Sequence, residues 1–181
     1  MPRTPDPKLQ ARILEAARQL FAKGGEHRLS MRALARLAGT NTPAVYRRFR
    51  DRDAILEALV QQFRQNAFAA LQPCRSPEEM AHAMLGLALK SPQIYELYYT
   101  QLIKKIPGER PNFEFTKKRC AAWLGGSAED YSGLVLALFA MVHGTAMLLI
   151  SKAVRRKNEA KMRAAFSASV QLLLRNADAL R

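Results

Sequence analysis

The side chains best placed for chemistry in this sequence are hydrogen-bond donors and cations, gathered in the stretch LSMRALARLAGTNTPAVYRRF (residues 29–49) and at Arg52 just beyond it. Tyr46, Arg47 and Arg48 end a short predicted helix and Arg52 follows just beyond it, and phenol and guanidinium donors suit phosphate oxygens. Thr42, Pro43 and Ala44 come directly before them. In a helix laid in the major groove of DNA, the first turn faces the base edges and the rim faces the phosphates. Thr42, Pro43 and Ala44 are then nearest the bases, Tyr46 and Arg52 suit phosphate, and Arg47 and Arg48 reach either. The competing readings are packing of Tyr46 into a core and a solvated face for the arginines.

That chemistry needs a scaffold, and the same stretch carries one. Two short helices cross steeply only where their contact residues are small and the turn between them takes a left-handed backbone. Ala35 supplies the small contact, Gly39 the turn, and Val45, six residues on, an apolar plug facing Leu34 and Ala38. Upstream, Leu9, Ile13, Ala17, Leu20 and Phe21 recur at three and four, predicting a helix over 8–23 stopped by Gly24-Gly25. Ser30 is the expected cap of a helix over Met31–Ala38, and Thr42 the cap of a short helix with Pro43 at its first position, running through Phe49. Asp51 caps a longer helix carrying Ile55, Leu56, Leu59, Val60 and Phe63.

Pro73–Pro77 breaks the chain. Further start signals are Ser76-Pro77-Glu78-Glu79, Ser91-Pro92 before Tyr95, Tyr98 and Tyr99, and Ser127-x-x-Asp130. Pro107–Pro111 reads as a loop, followed by a helix over Phe113–Leu124, and Asn158 is the expected cap of the last helix. The expectation is an all-α chain of about nine helices. It divides into a DNA-binding part (1–52), a connecting helix (53–74) and a larger helical part (75–181).

Bulk composition agrees with this division. The 181 residues are 49% hydrophobic and carry 29 Lys and Arg against 15 Asp and Glu, a net charge of +14. So basic a chain has polyanions as natural partners. Residues 1–52 hold twelve of those cations against four carboxylates, the footprint of a nucleic-acid binder. A second basic group, Lys152, Arg155, Arg156, Lys157, Lys161 and Arg163, reads as a solvated helix connection, with a second DNA contact or a membrane-surface patch as alternatives.

Catalysis finds no support: there is no Gly-rich phosphate loop and no triad. His27, His82 and His143 lie far apart. Cys74 and Cys120 lack the spacing of a disulfide framework or a zinc site, so neither a metal nor a cofactor is expected. The N-terminal MPRTPDPKLQ lacks the apolar core of a signal peptide, and a reducing, cytoplasmic setting follows as the expectation. From Tyr131 to Ser151 no residue is charged, in imitation of a membrane span. His143, Thr145, Gly133, Gly144 and the alanines dilute it, and a helix buried nearly all round, part of it against a partner subunit, accounts for the pattern better.

The run from Ile13 to Leu59 resembles the headpiece of the TetR family of bacterial repressors. The likeness rests on Ile13-Leu14-x-Ala16-Ala17-x-x-Leu20-Phe21, the Gly24-Gly25 stop, Leu34-Ala35, Ala38-Gly39, and Tyr46-x-x-Phe49-x-x-Arg52-x-x-Ile55-Leu56. The resemblance implies that Arg32 contacts a base, that Ser30, Tyr46 and Arg52 contact phosphate, and that Thr42 reads a base. Two positions depart from the pattern: Thr40 replaces the usual aliphatic, and Arg52 replaces the usual Lys, offering a fork in place of a point charge. Pro92-x-x-Tyr95-x-Leu97 and Val142-His143-Gly144 resemble one subgroup of the family's C-terminal domains.

The resemblance further implies a homodimer on double-stranded operator DNA, with a small-molecule effector that releases it and no membrane partner. A repressor is expected, an activator or a sequence-blind polycation being the alternatives. Met84, Tyr95, Tyr98, Tyr99, Trp123, Phe139 and His143 are candidates for an effector pocket, against an ordinary core without a cavity. The dimer is expected on the last two helices. Gly133 and Gly144 would permit close approach there, with Leu148, Phe166, Val170 and Leu173 as apolar contacts.

Overall fold

The computed structural model describes residues 6–102 and 111–180, and within them the chain is helical with no strand. Among the described residues nine α-helices are formed: α1 Leu9–Gly24, α2 Met31–Leu37, α3 Thr42–Tyr46, α4 Arg52–Leu71, α5 Pro77–Lys90, α6 Pro92–Glu96, α7 Pro111–Leu124, α8 Ser132–Ile150 and α9 Glu159–Arg175. The loop expected over Pro107–Pro111 lies, up to its last residue, outside the described residues. Two compact units are formed, one of residues 1–63 with 91–106, the other of residues 64–90 with 107–181. Helix α4 contributes its first part to one and its last part to the other.

In the first unit α1, α2, α3 and the start of α4 enclose an apolar core. Ile13, Leu34, Val45 and Ile55 are each completely buried, one from each helix. Gly25 (φ 65°) ends α1, and its N–H donates to the Phe21 carbonyl. Gly39 (φ 63°) makes the turn between α2 and α3, where the next N–H, that of Thr40, donates to the Ala35 carbonyl at 2.9 Å. A side chain there would carry the left-handed strain that glycine avoids.

The second unit is built on α5, α7, α8 and α9. Tyr131, Leu134, Cys120 and Val170 are fully buried, and Leu71, Cys74 and Met80 form a cluster against which Ala83, Met84 and Phe115 pack. Lys117 is the buried charge of this unit among the described residues. Its Nζ bonds Glu129 at 2.9 Å and Glu114 at 3.0 Å, fastening α7 to the turn that opens α8. Those carboxylates hold the ammonium above its ordinary pKa, Glu129 first.

Several helix starts differ from expectation. Helix α3 is capped by Asn41, so Thr42 and Pro43 are its first two residues, and it ends at Tyr46. Asn158 makes no side-chain cap bond, because a 3₁₀ turn over Arg156–Asn158 already leads into α9. The tyrosine helix is α-helical only to Glu96 and widens into a π turn over Leu97–Leu102. Ser127 and Asp130 form the expected reciprocal capping box, which opens a 3₁₀ turn running into α8.

Helix α8 is not buried all round within the chain. Leu134, Val135, Leu138, Val142, Thr145 and Ala146 face inward, while Leu136 and Leu148 are exposed. The stretch Ala128–Ile150 is long and apolar enough to cross a membrane by length and composition, and one-third of it is buried inside the subunit.

Candidate nucleic-acid interface

The short helix α3 is the centre of the site, and five residues of helix cannot hold themselves together in water. Its order comes from both ends and from below. At its start the Asn41 carboxamide accepts the Ala44 N–H at 2.9 Å. Underneath, Ala44 and Val45 are buried at 4% and 0% exposure. Beyond its end Phe49 is buried, and the Phe49 N–H donates to the Val45 carbonyl at 2.9 Å. Helix α2 is fixed in turn, because Ser30 Oγ accepts the Ala33 N–H at 3.1 Å and Arg12 Nε of α1 donates to the Ala38 carbonyl at 3.1 Å.

On this support the outward side chains share the exposed surface of α2, α3 and the residues that follow. Ser30, Arg32, Pro43, Tyr46, Arg47, Arg48 and Arg52 are exposed and Thr42 is half-buried. Tyr46 is 53% exposed, so it does not pack into the headpiece core. Arg48 Nη2 donates to the Asp6 carbonyl at 3.1 Å, and Arg52 lies 3.6 Å from Glu26. These two arginines are thus held from behind, whereas Arg32 and Arg47 have no partner among the described residues. Ala44 is different from its neighbours: its methyl is withdrawn into the core and only its N–H is committed at the helix start.

Sequence reasoning missed Asn41 and Arg12. The asparagine could have been found, since Asn is as good a cap as Thr and stands one residue earlier. Arg12 gave no local signal, because its acceptor is twenty-six residues away.

The residues expected to meet an effector fall into separate groups. Tyr95, Tyr98 and Tyr99 belong to the first unit, where they form an aromatic cluster with Phe63 of α4. Tyr95 and Tyr99 ring centroids lie 4.6 Å apart, Tyr98 and Tyr99 4.5 Å, and Phe63 lies 6.0 Å from Tyr95 and 5.5 Å from Tyr98. Burial pushes the Tyr95 and Tyr99 phenols above their ordinary pKa, so both stay neutral at physiological pH. Met84, Trp123, Phe139 and His143 belong to the second unit. Met84 packs on the Leu71–Cys74–Met80 cluster, Trp123 is half exposed, and Phe139 lies parallel to the His143 ring at 6.3 Å on the outer side of α8.

The residues expected at a dimer contact also divide. Phe166 and Val170 are buried within the subunit, Phe166 edge-on to His82 of α5 at 5.2 Å. Leu173 is half-buried, while Gly144 and Leu148 lie on the exposed side of α8. At Gly133 a Cβ would stand 2.5 Å from the Leu180 carbonyl oxygen, so this glycine admits the chain's own C-terminal turn. Exposed beside them are Leu136, Phe139 and Leu172, at 52%, 41% and 58%.

A turn-linked helix pair with a capped, outward-facing second helix, on a chain helical throughout its described residues, defines a helix-turn-helix arrangement. Residues 13–59 match the family model of the bacterial regulatory proteins of the tetR family. The transcriptional regulator UidR of Escherichia coli K12 is 32% identical over 73 residues, which cover 40% of this chain and 36% of UidR. The chain therefore spans about a third of the length of the curated relatives it matches. Among solved structures, a protein of unknown function from Rhodococcus sp. RHA1 matches with a TM-score of 0.75 and 25% identity, covering 97% of this chain and 98% of that one. The regulator SCO7222, a TetR from Streptomyces coelicolor, matches with 0.74 at 20% identity over 94% of this chain and 98% of that one. A TetR variant from Acinetobacter baumannii AYE in complex with minocycline matches with 0.67 at 21% identity over 99% of both. The likeness to the tetR family in sequence thus rests on residues 13–59, and the solved structures extend the likeness in fold to nearly the whole chain.

Proposed function

We propose that the chain is a sequence-specific DNA-binding transcriptional regulator that acts as a cytoplasmic homodimer and represses from a quasi-palindromic operator. The observation that carries this reading is the mounting of α3: Asn41 fixes its start and Ala44 and Val45 its base, while Thr42, Pro43, Tyr46 and Arg47 stand outward. In this reading Thr42 and Pro43 meet base edges, Arg32 reaches a base from α2, and Ser30, Tyr46, Arg48 and Arg52 hold phosphates. Arg48 and Arg52 are each tethered at one point, which lowers the entropy lost on binding. Ala44 contributes its buried methyl to the mount and not to the contact.

One headpiece reads too few base pairs, so two are needed, in successive major-groove faces roughly 34–36 Å apart or a multiple of that. The outward stripe of α8 and α9, with Leu136, Phe139, Gly144, Leu148 and Leu172, supplies the dimer surface. Apolar faces of that kind on a water-soluble chain mark association sites.

The effector acts at the tyrosine cluster. Helix α6, which carries Tyr95, packs against α1 of the headpiece, and Tyr95 meets Phe63 of α4. A ligand that parts these rings displaces α6, and with it the helix on which the headpiece rests. Differential affinity for the two arrangements then shifts the population away from the spacing that fits the operator.

The test is selection of bound sequences from a random duplex pool by the purified chain at near-physiological salt. The expected result is an inverted repeat. A flat pool bound with steep salt dependence would replace this reading with that of a sequence-blind polycation, which the net charge of +14 alone would permit.

A further inference from the structure

The second unit carries a concentration of positive charge that the headpiece does not explain. Between the end of α8 and the first turns of α9 stand Lys152, Arg155, Arg156, Lys157, Lys161 and Arg163, all exposed, and none bonds a carboxylate among the described residues. The segment is built and closed. The Ser151 N–H donates to the Met147 carbonyl at 2.9 Å, the Lys152 N–H to Leu149 at 3.3 Å, and the Asn158 N–H to Arg155 at 2.7 Å. Lys152 itself takes a left-handed backbone (φ 59°), a conformation where glycine or asparagine is usual. A lysine here keeps a charge where a neutral residue would fit the backbone better.

A seventh cation joins them from another helix. Gln171 donates to Glu78 at 3.0 Å, and Ser167 Oγ lies 3.3 Å from His82 Nε2. Four residues forward on α5 match four residues backward on α9, so the helices run antiparallel. Continued for two turns, that register brings Lys90 beside Glu159. Lys90 is exposed, also without an ion pair among the described residues, and is the last residue of the second unit before the chain crosses to the first at Ser91. Seven cations thus share one end of the unit, with Glu159 the one carboxylate among residues 151–165. Like charges so crowded repel one another unless a polyanion is there to receive them.

We propose that this basic elbow is an auxiliary contact for the phosphate backbone of duplex DNA, adding sequence-independent affinity to the reading done by the headpiece. The proposal rests on the chain being a DNA binder. Duplex DNA fits better than an anionic membrane because the elbow offers charge alone. The exposed large apolar side chains of this unit are at 123, 136, 139, 148 and 172, outside 151–165, whereas a membrane-surface site pairs cations with an inserted apolar face. At physiological salt the screening length is about 8 Å, so such a contribution requires contact and not action at a distance.

The experiment compares three full-length proteins on one duplex, recovered by selection with the wild-type chain, as salt is raised. They are wild type, the elbow variant R155Q/R156Q/K157Q, and the charge-matched control R75Q/K118Q/R175Q, whose sites are exposed and lie outside the elbow. Each phosphate that no longer meets a cation makes the plot of log affinity against log salt shallower by about 0.9. The elbow variant is expected to lose more than one such step relative to the control. Its preference for the selected duplex over a scrambled one stays unchanged. Equal slopes for elbow variant and control overturn the elbow contact while leaving the headpiece reading intact. A wild-type chain that binds no duplex overturns both. Loss of retention on anionic vesicles with an unchanged DNA slope assigns the elbow to membranes and also overturns it.

Discussion

The carboxamide of Asn41 accepts the backbone N–H of Ala44 at 2.9 Å, and this one bond closes the start of the helix proposed to read DNA. Helix α3 has only five residues, so this cap acts with the buried Ala44 and Val45 to order its first turn. Asn41→Ala is expected to cost about 1 kcal/mol of stability and Asn41→Asp to cost less, since a carboxylate caps equally well. Urea denaturation of the three proteins measures both. An unchanged midpoint for the alanine variant would mean that the buried Val45 alone sets the helix.

Base reading and phosphate holding separate experimentally. Tyr46→Phe keeps the ring and removes the hydroxyl, and is expected to weaken binding to all sequences alike. Thr42→Ala is expected to relax preference at one position of each half-site, by about 1–3 kcal/mol of discrimination. Repeating the duplex selection with each variant decides between the roles. A changed consensus for Tyr46→Phe would reassign that residue to the bases.

Association and folding are carried by different faces of the last two helices. Leu172 is 58% exposed and Phe166 is 3% exposed, although both lie on α9. Leu172→Glu is expected to yield a folded monomer by sedimentation, with the helical circular dichroism retained. Phe166→Ala opens a cavity and is expected to cost about 3–5 kcal/mol whatever the state of assembly.

The two thiols are buried, and burial raises both pKa values, that of Cys120 to about 11. A raised pKa leaves the thiol protonated, so at pH 7 the thiolate of Cys120 is about one part in ten thousand. Iodoacetamide is expected to label neither residue in the folded chain at pH 7, and both once it is unfolded in urea. Fast labelling of Cys120 at neutral pH would indicate that α7 opens readily.

What was legible in the sequence was local. Ser30, Asp51 and the Ser127–Asp130 box announced helix starts because a cap and the backbone N–H it accepts lie within three residues, and Gly39 announced a turn because few other residues take its φ. The order of Ala35, Gly39 and Val45 was enough to draw the headpiece. Interactions made across the fold were not legible. Arg12 finds the Ala38 carbonyl, and Gly133 makes room for Leu180, only after the helices have packed. The faces of α8 were also hidden, because a helix apolar on every side has no polar stripe to show which side is buried. Of the candidate DNA-facing residues, the exposed cations were readable by type and order. The burial of Ala44 was not readable, because which small residue of a five-residue helix lies underneath is settled only by packing.

A headpiece mounted to read base edges must discriminate between DNA sequences. The most direct test is a competition measurement at near-physiological salt, comparing the affinity of the full chain for its selected inverted repeat with that for a scrambled duplex of equal length and composition. A preference of about 10³-fold or more is expected. Equal affinity for the two duplexes would contradict it.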